Sequence, residues 1–127
     1  MRNPNQPADI LIVDDTLENL QLLSNILKEA GYKVRPASSG KLALKAVEHQ
    51  LPDLILLDIK MPEMDGYEVC RILKNQHSTK DIPVLFISAL SDIEDKLKAF
   101  QVGGLDYISK PFQFEEVKAR VSTHVQL

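Results

Sequence analysis

The chain is poor in cysteine, in long apolar runs and in charge of one sign, and each shortage excludes something. Cys70 is the one cysteine in 127 residues. A single thiol rules out an intrachain disulfide and a Cys-based zinc cluster, and it fits a reducing cytosol, so a cytoplasmic protein is expected. No uninterrupted apolar run approaches the ~20 residues a bilayer-spanning helix needs, so no membrane insertion is expected. Lys and Arg number 15 against 18 Asp and Glu, a formal net charge of −3. That balance gives no reason to expect direct contact with nucleic acid or an anionic membrane. There is no Gly-x-Gly-x-x-Gly and no Gly-Lys-Ser/Thr loop, so dinucleotide and P-loop nucleotide binding have no support.

What is present is an ordinary globular composition, 44% hydrophobic and 26% charged. The length suits one domain with a single core. The start, Met1-Arg2-Asn3-Pro4-Asn5-Gln6-Pro7, is polar and proline-rich and lacks the apolar centre of a signal peptide. Residues 1–8 are therefore expected to be a flexible lead-in and 9–127 one domain. The chain stops at Leu127 inside a helical pattern, which reads as a domain cut from a longer protein.

The informative stretch is Leu54-Ile55-Leu56-Leu57-Asp58. A short, wholly apolar run between turn residues (Pro52 and Asp53 before, Pro62 and Gly66 after) predicts a strand buried on both faces, hence a parallel sheet covered by helices. Similar runs begin near Ile10, Tyr32, Val84 and Leu105. Tyr32 to Pro36 alternates in polarity and holds a proline, which suits an edge strand.

Helical spacing follows each strand. The apolar sets are Leu17, Leu20, Leu23, Ile26, Leu27 and Ala30; Leu42, Ala43, Ala46 and Val47; Val69, Cys70 and Leu73; Ile93, Leu97 and Phe100; and Phe114, Val117, Val121 and Val125. Ser39 is an expected N-cap, Ser91 to Glu94 has capping-box spacing, and Gly31 and Gly103-Gly104 are expected stops. Strict strand–helix alternation predicts an α/β domain.

In a parallel sheet, ligands sit just beyond the carboxyl ends of the strands. Four of the predicted ends carry polar groups there: Asp14-Asp15, Asp58, Ser88 and Lys110. Converging carboxylates repel unless a cation joins them. A hard oxygen donor set suits Mg²⁺, with Mn²⁺ as an alternative. Carboxylate, divalent ion, ammonium and hydroxyl together make a site for a phosphoryl group, with Asp58 as nucleophile.

Each residue also has a plain reading. Asp14-Asp15 could merely open a helix at its positive end. Asp58 could form a turn, Ser88 could cap the next turn, and Lys110 could be solvated surface. Those readings hold singly and fail jointly. Tyr107 alone reads as core packing as readily as a switch. His49, His77 and His124 are all read as surface residues, and Cys70 as a small core residue.

The motifs Ile12-Val13-Asp14-Asp15, Leu56-Leu57-Asp58-Ile59-Lys60-Met61-Pro62-Glu63-Met64-Asp65-Gly66, Ile87-Ser88-Ala89 and Tyr107-Ile108-Ser109-Lys110-Pro111-Phe112 together resemble the receiver domain of two-component response regulators. The resemblance runs from Ile10 to about Gln126. It implies a five-stranded parallel sheet in the order 2-1-3-4-5 with helices on both faces, the flavodoxin-like doubly wound arrangement also given for the chemotaxis receiver. It implies that Asp58 accepts the phosphoryl group. The metal ligands would be Asp15, Asp58 and the backbone carbonyl of Lys60, with Asp14 acting through water.

The resemblance also implies that Lys110 pairs with the phosphoryl oxygens, and that Ser88 and Tyr107 form the switch. Lys110-Pro111 would be cis, and Gly66 would serve the loop after Asp58, where positive φ is expected. Lys60 and Leu90 fall where the family varies and tunes the lifetime of the phosphorylated form. The donor would be a histidine kinase or a phosphotransfer protein. The face of the fourth helix, fifth strand and fifth helix would meet an output domain, a partner protein or, on phosphorylation, a second copy.

The domain would assist its own phosphorylation and dephosphorylation without being a metabolic enzyme. Two rivals stay open. A haloacid-dehalogenase-like phosphohydrolase would want an acid where Lys60 stands, and 127 residues leave little room for a substrate cap. A receiver-like module that never takes phosphate should lack part of the constellation.

Overall fold

The computed structural model describes residues 6–89 and 93–125. Ten elements alternate: β1 Asp9–Val13, α1 Leu17–Glu29, β2 Lys33–Ala37, α2 Gly40–His49, β3 Leu54–Asp58, α3 Gly66–Lys74, β4 Val84–Ala89, α4 Ile93–Gln101, β5 Asp106–Lys110 and α5 Phe114–Val125. Every strand pairing is parallel, and the order is β2-β1-β3-β4-β5. The expected sheet is therefore present, with the proline-bearing β2 at one edge. Leu90 and the capping box starting at Ser91 lie outside the described residues.

Alternation along the central strands sorts side chains to two cores, because successive residues of a strand point to opposite faces. Ile10, Ile12, Leu54 and Leu56 meet Leu23 and Leu27 of α1 and Val117 and Val121 of α5. Leu11, Val13, Ile55 and Leu57 meet Ala43 and Val47 of α2, Val69 and Cys70 of α3 and Ala99 of α4. β1 and β3 are buried at every position, which is why their sequences read as unbroken apolar runs. Cys70 is core, as expected, and its thiol donates to the Val102 carbonyl at 3.4 Å.

Side-chain caps open α2 and α3. Ser39 Oγ accepts the Leu42 N–H at 3.1 Å, as its sequence position predicts. Asp65 caps α3 in the same way, accepting the Glu68 N–H at 2.9 Å.

Four expectations need correction. Ala8 belongs to the packed domain rather than the lead-in: it is buried and its carbonyl accepts the Lys33 N–H. Leu17, Leu42, Leu97 and Phe100 have helical spacing but face solvent. α4 instead packs through Ala99, and the turn that follows it lies close to β4, where a Cβ on Gly104 would stand 2.6 Å from the Phe86 ring. His124 is mostly covered rather than fully exposed, with 14% of its side chain accessible and Nε2 facing Asp106. Gly66 does not take positive φ; among the described non-glycine residues Glu63 does, at 69°.

Candidate phosphoryl and metal site

All strands run the same way, so β1, β3, β4 and β5 end at one edge. In register, Val13 lies beside Leu57, Asp58 beside Ile87, and Ser88 beside Ser109. The residues just past these positions therefore meet. Asp14, Asp15 and Asp58 each offer a carboxylate oxygen, and these oxygens all lie within 4.8 Å of one another. Asp14 and Asp58 are buried and Asp15 is exposed. Lys110 reaches in from the end of β5, its Nζ donating to Asp58 Oδ1 at 3.2 Å and lying 3.6 Å from Asp14 Oδ2. Ser88 is buried on β4. The Lys110-Pro111 bond is cis, as expected.

The three acids are not equivalent. Asp14 already has partners on both oxygens: Oδ1 accepts the Thr16 N–H at 2.9 Å and Oδ2 accepts Asn19 Nδ2 at 3.1 Å. Asn19 and Thr16 were not singled out from the sequence. Their positions five and two residues after Asp14, at the strand-to-helix turn, were the available signal. Asp58 Oδ1 accepts the Lys110 ammonium at 3.2 Å. Burial, the Asp14 charge and, to a lesser degree, the Asp15 charge raise its pKa, while Lys110 lowers it; the net result is about 6. Among the described ion pairs, the Lys110 ammonium is set against Asp14 and Asp58 in a cluster of three carboxylates, so the described groups are short of positive charge.

That deficit, and the all-oxygen donor set, fit a divalent cation such as Mg²⁺. Lys60 follows Asp58 by two residues, with its side chain exposed and its carbonyl in the loop that borders the site. Gly66 lets that loop close. A Cβ there would collide with the Asp58 carbonyl oxygen, and the Gly66 N–H donates to the Ile59 carbonyl at 2.9 Å. The glycine is needed for close approach rather than for backbone handedness.

Tyr107 lies beside the buried Phe86 on β4 and is partly exposed. Its ring meets Phe100 of α4 edge-on, with centroids 6.4 Å apart. Asp106, next to it, accepts Tyr107 N–H and Arg120 NH1 on Oδ1 and faces His124 Nε2 at 3.0 Å on Oδ2. Burial raises the Asp106 pKa, but the His124, Tyr107 and Arg120 donors outweigh it and hold the carboxyl below the ordinary range. Neither Arg120 nor His124 was foreseen as part of this face. No helix among the described residues is long and apolar enough to cross a membrane.

A family model for the response regulator receiver domain matches residues 10–122. The DNA-binding dual master transcriptional regulator RpaA of Synechocystis is 47% identical over 113 residues, which is 88% of this chain and 46% of that protein. The probable cyclic di-GMP phosphodiesterase of Vibrio cholerae is 44% identical over 117 residues, 92% of this chain and 26% of that protein. The chain thus spans between a quarter and a half of these relatives. The crystal structure of the receiver domain of NtrX from Brucella abortus superposes with a TM-score of 0.87 at 32% identity, covering 93% of this chain and 98% of that one. With a parallel sheet in the order 2-1-3-4-5 and an aspartate cluster at its carboxyl edge, the chain belongs to the response regulator receiver domains of two-component signalling.

Proposed function

We propose that Asp58 takes a phosphoryl group from phosphohistidine on a histidine kinase or a phosphotransfer protein. The observation that carries this reading is the cluster of three carboxylates at the sheet edge, with buried Asp58 paired to the Lys110 ammonium. In the transfer, an Asp58 carboxylate oxygen attacks phosphorus and forms the new O–P bond. The P–N bond breaks, and its electron pair stays with the imidazole nitrogen.

Asp15, Asp58 and the Lys60 carbonyl would hold Mg²⁺ or Mn²⁺, with Asp14 acting from behind through water; the two partners already on Asp14 support that indirect role. The ion supplies charge neutralisation to the phosphoryl oxygens when bound. Lys110 orients the same oxygens by its ammonium, and Ser88 donates its hydroxyl to the transferred group. Tyr107 then shifts, and the face of α4, β5 and α5 changes between two populations. Exposed Leu97, Phe100 and Leu105 on that side support its use as a docking surface for an output domain, a partner protein or a second copy.

The partial coverage of the relatives supports a chain that works as one regulatory module of a longer protein. The test is incubation with Mg²⁺ and a phosphohistidine donor or acetyl phosphate, followed by intact-mass measurement. One added phosphoryl group is expected, absent in Asp58→Asn. Retention of the adduct in Asp58→Asn rejects the acceptor assignment. Rapid turnover of unrelated phosphate esters would favour a phosphohydrolase instead.

A further inference from the structure

Tyr107 is held by cations from two different helices. Lys96 Nζ of α4 lies 4.4 Å from the centroid of its ring, and the Arg120 guanidinium carbon of α5 lies 5.4 Å from it. Lys96 and Phe100 are four residues apart, so they share one side of α4 and reach the same ring. Arg120 is itself fixed: its NH1 bonds Asp106 Oδ1 at 2.7 Å, and Asp106 is the chain neighbour of Tyr107. A cation over an aromatic face is attracted by the negative face of the ring. The ring thus sits at the edge strand with one helix's ammonium and the other helix's guanidinium against it.

We propose that Lys96 and Arg120 are positioning residues that clamp Tyr107 in its resting place and so weaken the capture of a phosphoryl group at Asp58. This rests on the reading that Tyr107 moves when the site is phosphorylated. A ring that turns away gives up both cation contacts. Contacts made in only one of two states bias the equilibrium toward that state by their own strength. The apparent affinity for a phosphoryl mimic then falls with the fraction of molecules in the competent state.

The experiment titrates Mg²⁺-loaded protein with beryllofluoride, followed by calorimetry. Lys96→Met keeps an unbranched side chain and removes the charge. It should bind the mimic about two- to fivefold tighter than the native chain, the range for a partly exposed cation–π contact. Lys96→Arg should restore the native affinity. In a Tyr107→Ala background, Lys96→Met should have no further effect, because the ring it acts on is gone. Arg120→Gln should tighten binding in the same direction.

Unchanged or weaker binding by Lys96→Met overturns the proposal, as does an equal effect with and without the Tyr107 ring. Absence of an adduct in the native chain removes the phosphoacceptor reading, and the clamp with it. An adduct whose affinity ignores Lys96 removes the clamp alone.

Discussion

Asp58→Asn should make the metal-free protein more stable above pH 6. The Asp58 pKa rises from 3.8 to about 6 on folding, chiefly by burial and then by the Asp14 charge, with Lys110 opposing. The folded state therefore binds more protons than the unfolded chain between those two values. Stability falls as pH climbs through that window, and the full penalty stands above pH 6. A rise of about two units is worth roughly 3 kcal/mol. Asparagine has no charge to bury, so it escapes the penalty, but it replaces a charge-assisted bond to Lys110 with a weaker one.

The expected gain is about 1–3 kcal/mol at pH 8, or roughly 4 °C in melting temperature per kcal/mol for a domain of this size. Urea unfolding in EDTA at pH 8 and pH 4 provides the comparison. The variant should be the more stable at pH 8, and the difference should largely vanish at pH 4. Excess Mg²⁺ should stabilise the native chain far more than the variant and so narrow the gap. A variant less stable at pH 8 in EDTA, or a gap that does not depend on pH, would refute the idea that a compressed charge cluster is relieved.

Three further outcomes follow from the same geometry. Lys110→Met removes the ammonium 3.2 Å from Asp58 and 3.6 Å from Asp14, so it should destabilise the metal-free protein at pH 8 and much less at pH 4, again by urea unfolding. Mg²⁺ affinity should fall as pH drops below about 6, because protonated Asp58 must lose its proton to become a ligand; calorimetry in buffers of different ionisation enthalpy should show the proton released. Gly66→Ala drives a methyl group into the Asp58 carbonyl and should cost about 1–3 kcal/mol by overpacking, with weaker Mg²⁺ binding than the native chain; an unchanged unfolding midpoint would contradict the close approach.

The sheet was legible because β1 and β3 are buried on both faces and leave unbroken apolar runs. The meeting of Asp14, Asp58 and Lys110 was legible because strand direction carries the strand ends, Ser88 on β4 among them, to one edge. Helix faces were harder. Spacing finds a helix at Leu97 and Phe100, yet it cannot choose between two apolar stripes, and the structure buries Ala99 while Leu97 and Phe100 stay exposed. His124 looked like surface because its partner, Asp106, is 18 residues away and meets it only once α5 folds onto β5. Gly66 was visible as necessary, but its reason was not: the crowding comes from Asp58, a contact the local sequence does not encode. The Asp14 partners Thr16 and Asn19 were hidden for the opposite reason, since residues so close in sequence look like ordinary helix-start composition.

The decisive measurement is amide NMR with Mg²⁺ and then beryllofluoride added in turn. Mg²⁺ should shift signals around Asp14, Asp58 and Lys60, and the fluoride complex should extend the change through Ser88 and Tyr107 into α4 and α5. Silence at the carboxyl edge of the sheet, or changes confined to its opposite end around Pro52 and Pro83, would contradict the account.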